Sequence, residues 1–166
     1  MQSVENSILE RVACLARLAT EKKAVIATAE SCTAGGIAFT LTSIAGSSAW
    51  FDRGFVTYSN ESKVALLGVR EKTLAAHGAV SAETAQEMVA GALSHSPATA
   101  VVAVTGIAGP GGAVPGKPVG TVYIGWGAKG KEPLVRRFQF EGDRSAVRAQ
   151  TIREAIDGLI CLLSND

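Results

Sequence analysis

Apolar and polar positions along this chain follow two patterns, helical spacing and short runs that are apolar on both faces. Residues 4–20 place apolar side chains at helical spacing with charges between them, which predicts an amphipathic helix. Residues 24–29 and 99–105 are short apolar runs without a polar face. Such runs predict strands inside a sheet that is covered on both sides.

Further helices and strands follow from the same patterns and from capping residues. Ser81 and Asp143 each stand at a predicted helix start, where a side-chain oxygen accepts a free backbone N–H. The remaining predictions are helices over 33–44, 59–68 and 71–76, and strands over 50–58, 120–126 and 134–140. Helices before, among and after the strands predict an α/β fold, a three-layer α/β/α sandwich with a mixed β-sheet.

The two apolar strands each run directly into a loop of small residues. The first meets Ser31 at a strand-to-helix turn, where we expect the free N–H groups of the next helix to point at a ligand. The second meets the loop Gly106 to Gly112. If the two strands are parallel neighbours, both loops border one pocket at the carboxyl edge of the sheet.

Length and composition narrow the class of protein. With 166 residues, 47% of them apolar, the chain is expected to form one domain over residues 1–166. A formal charge of +1 and 5% aromatic residues argue against nucleic acid or a membrane as a partner. Three widely spaced cysteines suit a reducing compartment, no apolar run approaches the roughly 20 residues of a membrane span, and we therefore expect a cytoplasmic location.

Ser31 is a candidate nucleophile, which requires a base to accept its proton. The two histidines, His77 and His95, are more typical of surface positions. Lys63 follows a strand end and a polar turn, and a lysine serves as base when burial lowers its pKa. The residues alone favour a solvated lysine on a short helix over a catalytic one.

Two neighbours of the serine carry alternatives. Cys32 is a rival nucleophile, because a helix N-terminus stabilises a thiolate, and a packing role suits it equally well. Glu30 is suited to orienting a lysine, to accepting backbone N–H groups or to complementing the helix dipole.

Candidate ligand-binding groups occur elsewhere in the chain. The spacing G-x-x-G-x-G from Gly106 is neither a dinucleotide nor a Walker A motif, and indicates only close approach of the backbone to a ligand. Arg144 and Arg148, at the start of the last helix, and Lys117 are candidates for binding a phosphate or carboxylate. The sequence has no metal-binding motif, and we expect neither a metal nor a cofactor.

Taken together, several motifs resemble the C-terminal domain family of the competence/damage-inducible protein CinA, which includes stand-alone nicotinamide-nucleotide amidohydrolases (NMN deamidases). The resemblance runs through nearly the whole chain in order. The motifs are Ala29-Glu30-Ser31-Cys32-Thr33, Gly46-Ser47-Ser48-Ala49-Trp50-Phe51, Gly54 to Lys63 (GFVTYSNESK), His77-Gly78-Ala79-Val80-Ser81, Thr105 to Pro110 (TGIAGP), Lys117 to Val122 (KPVGTV) and Gly142-Asp143-Arg144.

The resemblance implies hydrolysis of nicotinamide mononucleotide to nicotinic acid mononucleotide and ammonia, in pyridine nucleotide recycling and NAD metabolism. It assigns Ser31 as nucleophile and Lys63 as general base. It also implies that Ala34, where many relatives have glycine, alters the oxyanion geometry slightly without abolishing activity. Substrate-binding or supporting roles fall to Glu30, Thr33, Tyr58, Thr105, Gly106 and Arg144.

Two other functions remain open at this point. One is a nucleotide-binding regulatory module without turnover, linked to competence or DNA damage. The other is an amidase that uses Cys32. We expect a small-molecule nucleotide as the partner, and a homo-oligomer whose interface uses apolar helix faces.

Overall fold

A computed structural model describes residues 2–165. The predicted domain of residues 1–166 also includes Met1 and Asp166, which lie outside the described residues. The helices are α1 (Gln2–Lys22), α2 (Gly36–Leu41), α3 (Asn60–Leu67), α4 (Glu71–His77), α5 (Ala82–Ser94) and α6 (Arg144–Ser164), with a 3₁₀ turn at Ser47–Ala49. The strands are β1 (Ile26–Glu30), β2 (Phe51–Val56), β3 (Ala100–Gly106), β4 (Thr121–Ala128) and β5 (Leu134–Gln139).

The strands form one mixed sheet in the order β2-β1-β3-β4-β5. β1 pairs with both β2 and β3 in parallel, and β4 pairs antiparallel with β3 and β5. β1 and β3 are buried along nearly their whole length, as their apolar composition predicts.

Helices cover both faces of this sheet. Alternate strand side chains such as Ile26 and Val102 face α1, α2 and α6, where they pack with Val12 and Leu159. The intervening strand residues pack instead against α3, α4 and α5. This confirms the predicted three-layer α/β/α sandwich with a mixed sheet.

The pairing of β1 with β3 brings two loops together. Glu30, the last residue of β1, pairs with Val104 near the end of β3, so the Ser31 turn and the Gly106 loop begin side by side. The expectation that both loops border one edge of the sheet is therefore confirmed.

Most element predictions are confirmed, and α2 is the clearest exception. The apolar pattern predicts a helix over 33–44, but the helix spans only Gly36–Leu41. Ala34 and Gly35 have φ values of 49° and 92°, in the left-handed region, so a right-handed helix cannot include them. The turn after Ser31 is longer than predicted.

Both open edges of the sheet carry charged, exposed side chains. On β2 these are Asp52 and Arg53, which form an ion pair, and on β5 they are Arg136 and Arg137. Within residues 2–165, no helix is long and apolar enough to cross a membrane.

Candidate active site

Ser31 occupies the first position after β1, in a turn that the sheet itself fixes. Its backbone N–H donates to the carbonyl of Val104 at 3.1 Å, so the turn continues the pairing of β1 with β3. The residue is 8% exposed. The predicted position of Ser31 in a turn directly after a buried central strand is confirmed.

Lys63 reaches Ser31 from helix α3. This helix begins after Ser59, whose hydroxyl accepts the backbone N–H of Ser62 at 3.1 Å. Lys63 is 1% exposed, and its Nζ lies 3.1 Å from Ser31 Oγ and 3.0 Å from the carbonyl oxygen of Thr57. The lysine is therefore not a solvated surface residue, which the residues alone favoured.

Burial favours the neutral form of the Lys63 amine. Removal from water lowers the pKa of Lys63, and the negative charge of Glu61, together with any charge on Cys32, opposes the shift more weakly. A lysine with a lowered pKa is more readily neutral, and only the neutral amine accepts a proton.

Burial has the opposite effect on the reactivity of Cys32, because the reactive form of a cysteine is the charged one. Burial raises the pKa of its thiol to about 12, and the nearby charge of Glu30 adds to the shift, although a backbone hydrogen bond and the cations Arg148 and Lys63 oppose it. At neutral pH the group is therefore a thiol and not the nucleophilic thiolate. This geometry favours Ser31 over Cys32 as the nucleophile.

The serine and lysine both line a cavity of about 190 Å³. Of the eight site residues predicted from the sequence, six line this cavity and two do not. The lining residues are Ser31, Cys32, Tyr58, Asn60, Lys63, Ala79, Val80, Thr105, Gly106, Ala108 and Arg144.

Arg144 connects three segments at the cavity. It is the first residue of α6, directly after the cap Asp143, whose Oδ1 accepts the N–H of Ala146 at 2.9 Å. Its guanidinium donates to the carbonyl of Gly109 and to the hydroxyl of Tyr58, both at 2.8 Å. A fixed cation at a helix N-terminus is suited to an anionic group of a ligand.

Thr105 also lines the cavity. Its hydroxyl donates to the carbonyl of Ala79 at 2.7 Å, which ties the end of β3 to the segment before α5. Ala79, Val80, Asn60 and Ala108 also line the cavity but were not among the predicted site residues. The signal available for them was their position inside the quoted motifs, because their side chains carry no distinctive chemistry.

Glu30 and Thr33 lie behind the Ser31 turn and do not line the cavity. Both are fully buried, and the hydroxyl of Thr33 donates to Glu30 Oε1 at 2.7 Å. The N–H groups of Ile37 and Ala38 also donate to the Glu30 carboxylate. These N–H groups at the start of α2 therefore face Glu30, and the expectation that they point at a ligand is wrong.

The other candidate bases and cations lie elsewhere. His77 is exposed and 3.7 Å from Glu83, and His95 Nδ1 lies 2.7 Å from the carbonyl of Gly91. Lys117 donates to the His77 carbonyl, and Arg148 donates to the Thr33 carbonyl at 3.0 Å. Across residues 2–165, no group of three or more His, Cys, Asp or Glu side chains is placed to hold a metal ion.

Comparison with protein families and known proteins gives consistent results. The model of the CinA C-terminal domain matches residues 9–163. The nicotinamide-nucleotide amidohydrolase PncC of Pseudomonas putida is 53% identical over 139 residues, which cover 84% of this chain and 86% of that protein. The protein of the same name from Escherichia coli K12 is 53% identical over 136 residues, 82% of each chain.

Solved structures agree with the fold. The competence/damage-inducible protein CihA from Agrobacterium tumefaciens superposes with a TM-score of 0.91 at 46% identity, covering 93% of this chain and 94% of its own. A CinA superfamily protein from Klebsiella pneumoniae gives a TM-score of 0.92 at 39% identity, covering 96% and 99%.

Proposed function

Because this chain belongs to the CinA C-terminal domain family, we propose that it is a nicotinamide-nucleotide amidohydrolase. The proposed reaction converts the carboxamide of nicotinamide mononucleotide, with one water, into the carboxylate of nicotinic acid mononucleotide and ammonia, and releases one proton, which ammonia or solvent takes up. The two amidohydrolases named above support this assignment, since each is 53% identical to this chain over more than four-fifths of both lengths.

The observation that carries the proposal is the buried pair of Lys63 Nζ and Ser31 Oγ, which lie 3.1 Å apart in residues that line the cavity. A serine needs a proton acceptor within hydrogen-bond reach before it attacks an amide. The lowered pKa of Lys63 makes the neutral amine available for this step. A site that only binds a nucleotide has no need of such a pair.

The chemistry proceeds in two halves. Neutral Lys63 accepts the hydroxyl proton of Ser31 as Oγ forms a bond to the carboxamide carbon. Backbone N–H groups of the turn after β1 stabilise the negative charge that develops on the carbonyl oxygen. The lysine ammonium then gives its proton to the departing nitrogen, the C–N bond breaks, and ammonia leaves a nicotinoyl ester on Ser31.

Water completes the cycle. Lys63, neutral again, takes a proton from water as the water oxygen attacks the ester carbon. The ester bond breaks, the proton returns to Ser31 Oγ, and the carboxylic acid product loses its remaining proton to ammonia or solvent and leaves as the carboxylate. We assign Arg144, Tyr58, Thr105 and the backbone at Gly106 to substrate binding, and we propose that the guanidinium of Arg144, which lines the cavity, binds the phosphate.

Ammonia release from nicotinamide mononucleotide by the purified protein tests the assignment, with the Ser31→Ala variant measured beside it. We expect turnover by the wild type and a loss of at least about 10³-fold in the variant. Ser164→Ala is a matched control, because this exposed serine lies at the far end of α6 from Arg144.

Other results of the same assay point to other functions. A wild type that binds the nucleotide without releasing ammonia would replace the enzyme assignment with the binding module. Activity that survives in Ser31→Ala but is lost in Cys32→Ala would assign the cysteine as nucleophile.

Two further parts of the proposal concern the cellular location and the oligomeric state of the protein. The described cysteines Cys14, Cys32 and Cys161 are free thiols, which supports a reducing compartment, and we place the protein in the cytoplasm. The homo-oligomer stays a prediction, which light scattering tests.

A further inference from the structure

The carboxylate of Glu30 is fully buried and holds four hydrogen bonds, although it has no part in the reaction steps above. Oε1 accepts the hydroxyl of Thr33 at 2.7 Å and the N–H of Ile37 at 2.8 Å. Oε2 accepts the hydroxyl of Thr28 at 3.0 Å and the N–H of Ala38 at 3.0 Å. Each oxygen therefore accepts one hydroxyl and one backbone N–H.

These bonds make Glu30 the cap of helix α2. Gly35 occupies the N-cap position and has no side chain to cap the helix. The N–H groups of Ile37 and Ala38, the second and third residues of α2, lack partners within the helix. Glu30 supplies acceptors for both from the end of β1, so residues 31–35 form a loop closed at its base.

The closed loop contains Ser31, the proposed nucleophile, and Ala34, whose backbone conformation is unfavourable. Ala34 has a φ of 49°, which is costly for a residue with a Cβ and persists only where surrounding contacts enforce it. Ser31 N–H is held by Val104, and the Thr33 carbonyl is held by Arg148. Glu30 holds the remaining side of the loop through the Thr33 hydroxyl and α2.

We infer that Glu30 is a positioning residue that fixes Ser31 against Lys63, and that it does not contact the substrate. The inference rests on the proposed function for its catalytic meaning, whereas the closure of the loop stands on geometry alone. A displacement of the nucleophile by about 1 Å can reduce turnover by about 10²-fold without weakening substrate binding. Positioning and substrate contact therefore predict different kinetic changes.

Glu30→Gln is the sharpest variant because it keeps the shape of the side chain. Whichever way the amide is oriented, its NH₂ group faces the N–H of either Ile37 or Ala38, and two donors cannot bond. We expect kcat for nicotinamide mononucleotide to fall 10- to 100-fold with KM within about threefold. The pH dependence of kcat should keep its midpoint, because Glu30 does not touch Lys63.

A milder pair covers the case in which Glu30→Gln fails to fold. Thr33→Val removes one hydroxyl donor to Glu30, and Thr33→Ser restores it, so we expect a 3- to 10-fold loss of kcat that the serine variant recovers. Thr151→Val is the matched control, since its buried hydroxyl donates at 2.7 Å to the Val147 carbonyl within α6 and not to Glu30.

Two readouts do not depend on the natural substrate. The first is amide hydrogen exchange by NMR, where Ile37 and Ala38 should exchange at least tenfold faster in Glu30→Gln while the strands keep their protection. The second is labelling of Ser31 by an alkyl fluorophosphonate, in which Oγ displaces fluoride from phosphorus and Lys63 takes the hydroxyl proton. Labelling should slow in parallel with kcat.

Several outcomes overturn the inference. A rise in KM at constant kcat would show that Glu30 contacts substrate. Faster exchange with unchanged kcat and labelling would leave Glu30 a purely structural cap, and unchanged exchange would remove the cap itself. A wild type that labels at Ser31 without hydrolysing the nucleotide defeats the proposed function only, whereas absence of labelling removes the positioning role together with the nucleophile.

Discussion

Lys63 is 1% exposed, and its amine forms hydrogen bonds with the Ser31 hydroxyl and the Thr57 carbonyl. Burial lowers its pKa below the ordinary lysine value. Removal from water destabilises the charged form of Lys63, which costs folding free energy. The same effect favours the neutral amine, whose lone pair can accept a proton.

The first prediction concerns the pH dependence of catalysis. We expect kcat/KM to rise with pH through the lowered pKa of Lys63 and to fall as protonation removes the base at lower pH. Lys63→Arg, whose side chain stays protonated, should lose at least about 10³-fold in turnover at every pH tested. Initial rates of ammonia release between pH 5 and pH 10 provide the measurement. Turnover by Lys63→Ala within a few-fold of the wild type would show that another group is the base.

The second prediction concerns Ala34. Its left-handed conformation costs an alanine about 1–2 kcal/mol, whereas glycine adopts it freely but loses about 0.4–1 kcal/mol through a more flexible unfolded chain. We therefore expect Ala34→Gly to stabilise the protein by about 0.5–1 kcal/mol, since the first effect is larger. Urea unfolding measures it, and a destabilised variant would contradict the argument.

At the scale of secondary-structure elements, the position of Lys63 depends on the close packing of α3 against α5. Gly91 of α5 lies against the end of α3, and a Cβ at this position would lie 1.9 Å from the carbonyl oxygen of Leu67. Such a contact cannot be relieved by rotating a side chain, because the neighbour is backbone. The two helices approach this closely only because residue 91 is glycine.

The third prediction follows from this contact. Gly91→Ala should push α3 away from α5, destabilise the protein by about 1–3 kcal/mol or more, and reduce turnover because α3 carries Lys63. Gly111→Ala is the matched control for stability, since nothing lies within 4 Å of a Cβ at that position. Equal unfolding free energies for the two variants would contradict the close packing.

Much of the element pattern was predictable from the sequence, because it depends on local chemistry. The cap at Ser81 and the apolar spacing after it predict α5, and the strand predictions over 24–29 and 99–105 match β1 and β3 to within two residues. The start of α2 was not predictable, since an alanine in the left-handed region leaves no mark in a pattern of apolar positions. The side chain that caps α2 belongs to Glu30, which lies too far from the helix start in the sequence for a local capping rule to identify it.

The candidate site also has a part that was predictable from the sequence and a part that was not. The place of Ser31 follows from a strand that ends in small residues, which is a local feature. Its contact with Lys63 joins residues 32 positions apart and depends on how α3 packs, so the residues alone favoured a solvated lysine. The cavity wall at Ala79 and Val80 is formed by residues whose side chains carry no chemical signal.

At the scale of the whole molecule, the buried lysine links folding to pH. Its pKa is lower in the folded state than the roughly 10.4 expected in the unfolded chain. Between these two values the unfolded state binds more protons, so stability rises with pH in that window and is flat below the folded pKa.

The fourth prediction compares the wild type with Lys63→Met, which retains every other titrating group. The unfolding free energy of the wild type relative to the variant should increase as the pH rises toward 10, by at most about 1.4 kcal/mol per pH unit. Urea unfolding across pH 6–10 gives both curves. A difference that stays constant over the whole range would mean that the folded and unfolded pKa values of Lys63 are equal.

The charges on the two open edges of the sheet bear on aggregation. A strand from another molecule that paired with β2 or β5 would have to desolvate Asp52 and Arg53, or Arg136 and Arg137. Fibril-like growth by edge pairing is therefore unfavourable, and the protein should stay dispersed at concentrations where uncharged edges would associate. Self-association through the helical faces of the molecule would leave these backbone edges free and would avoid this desolvation.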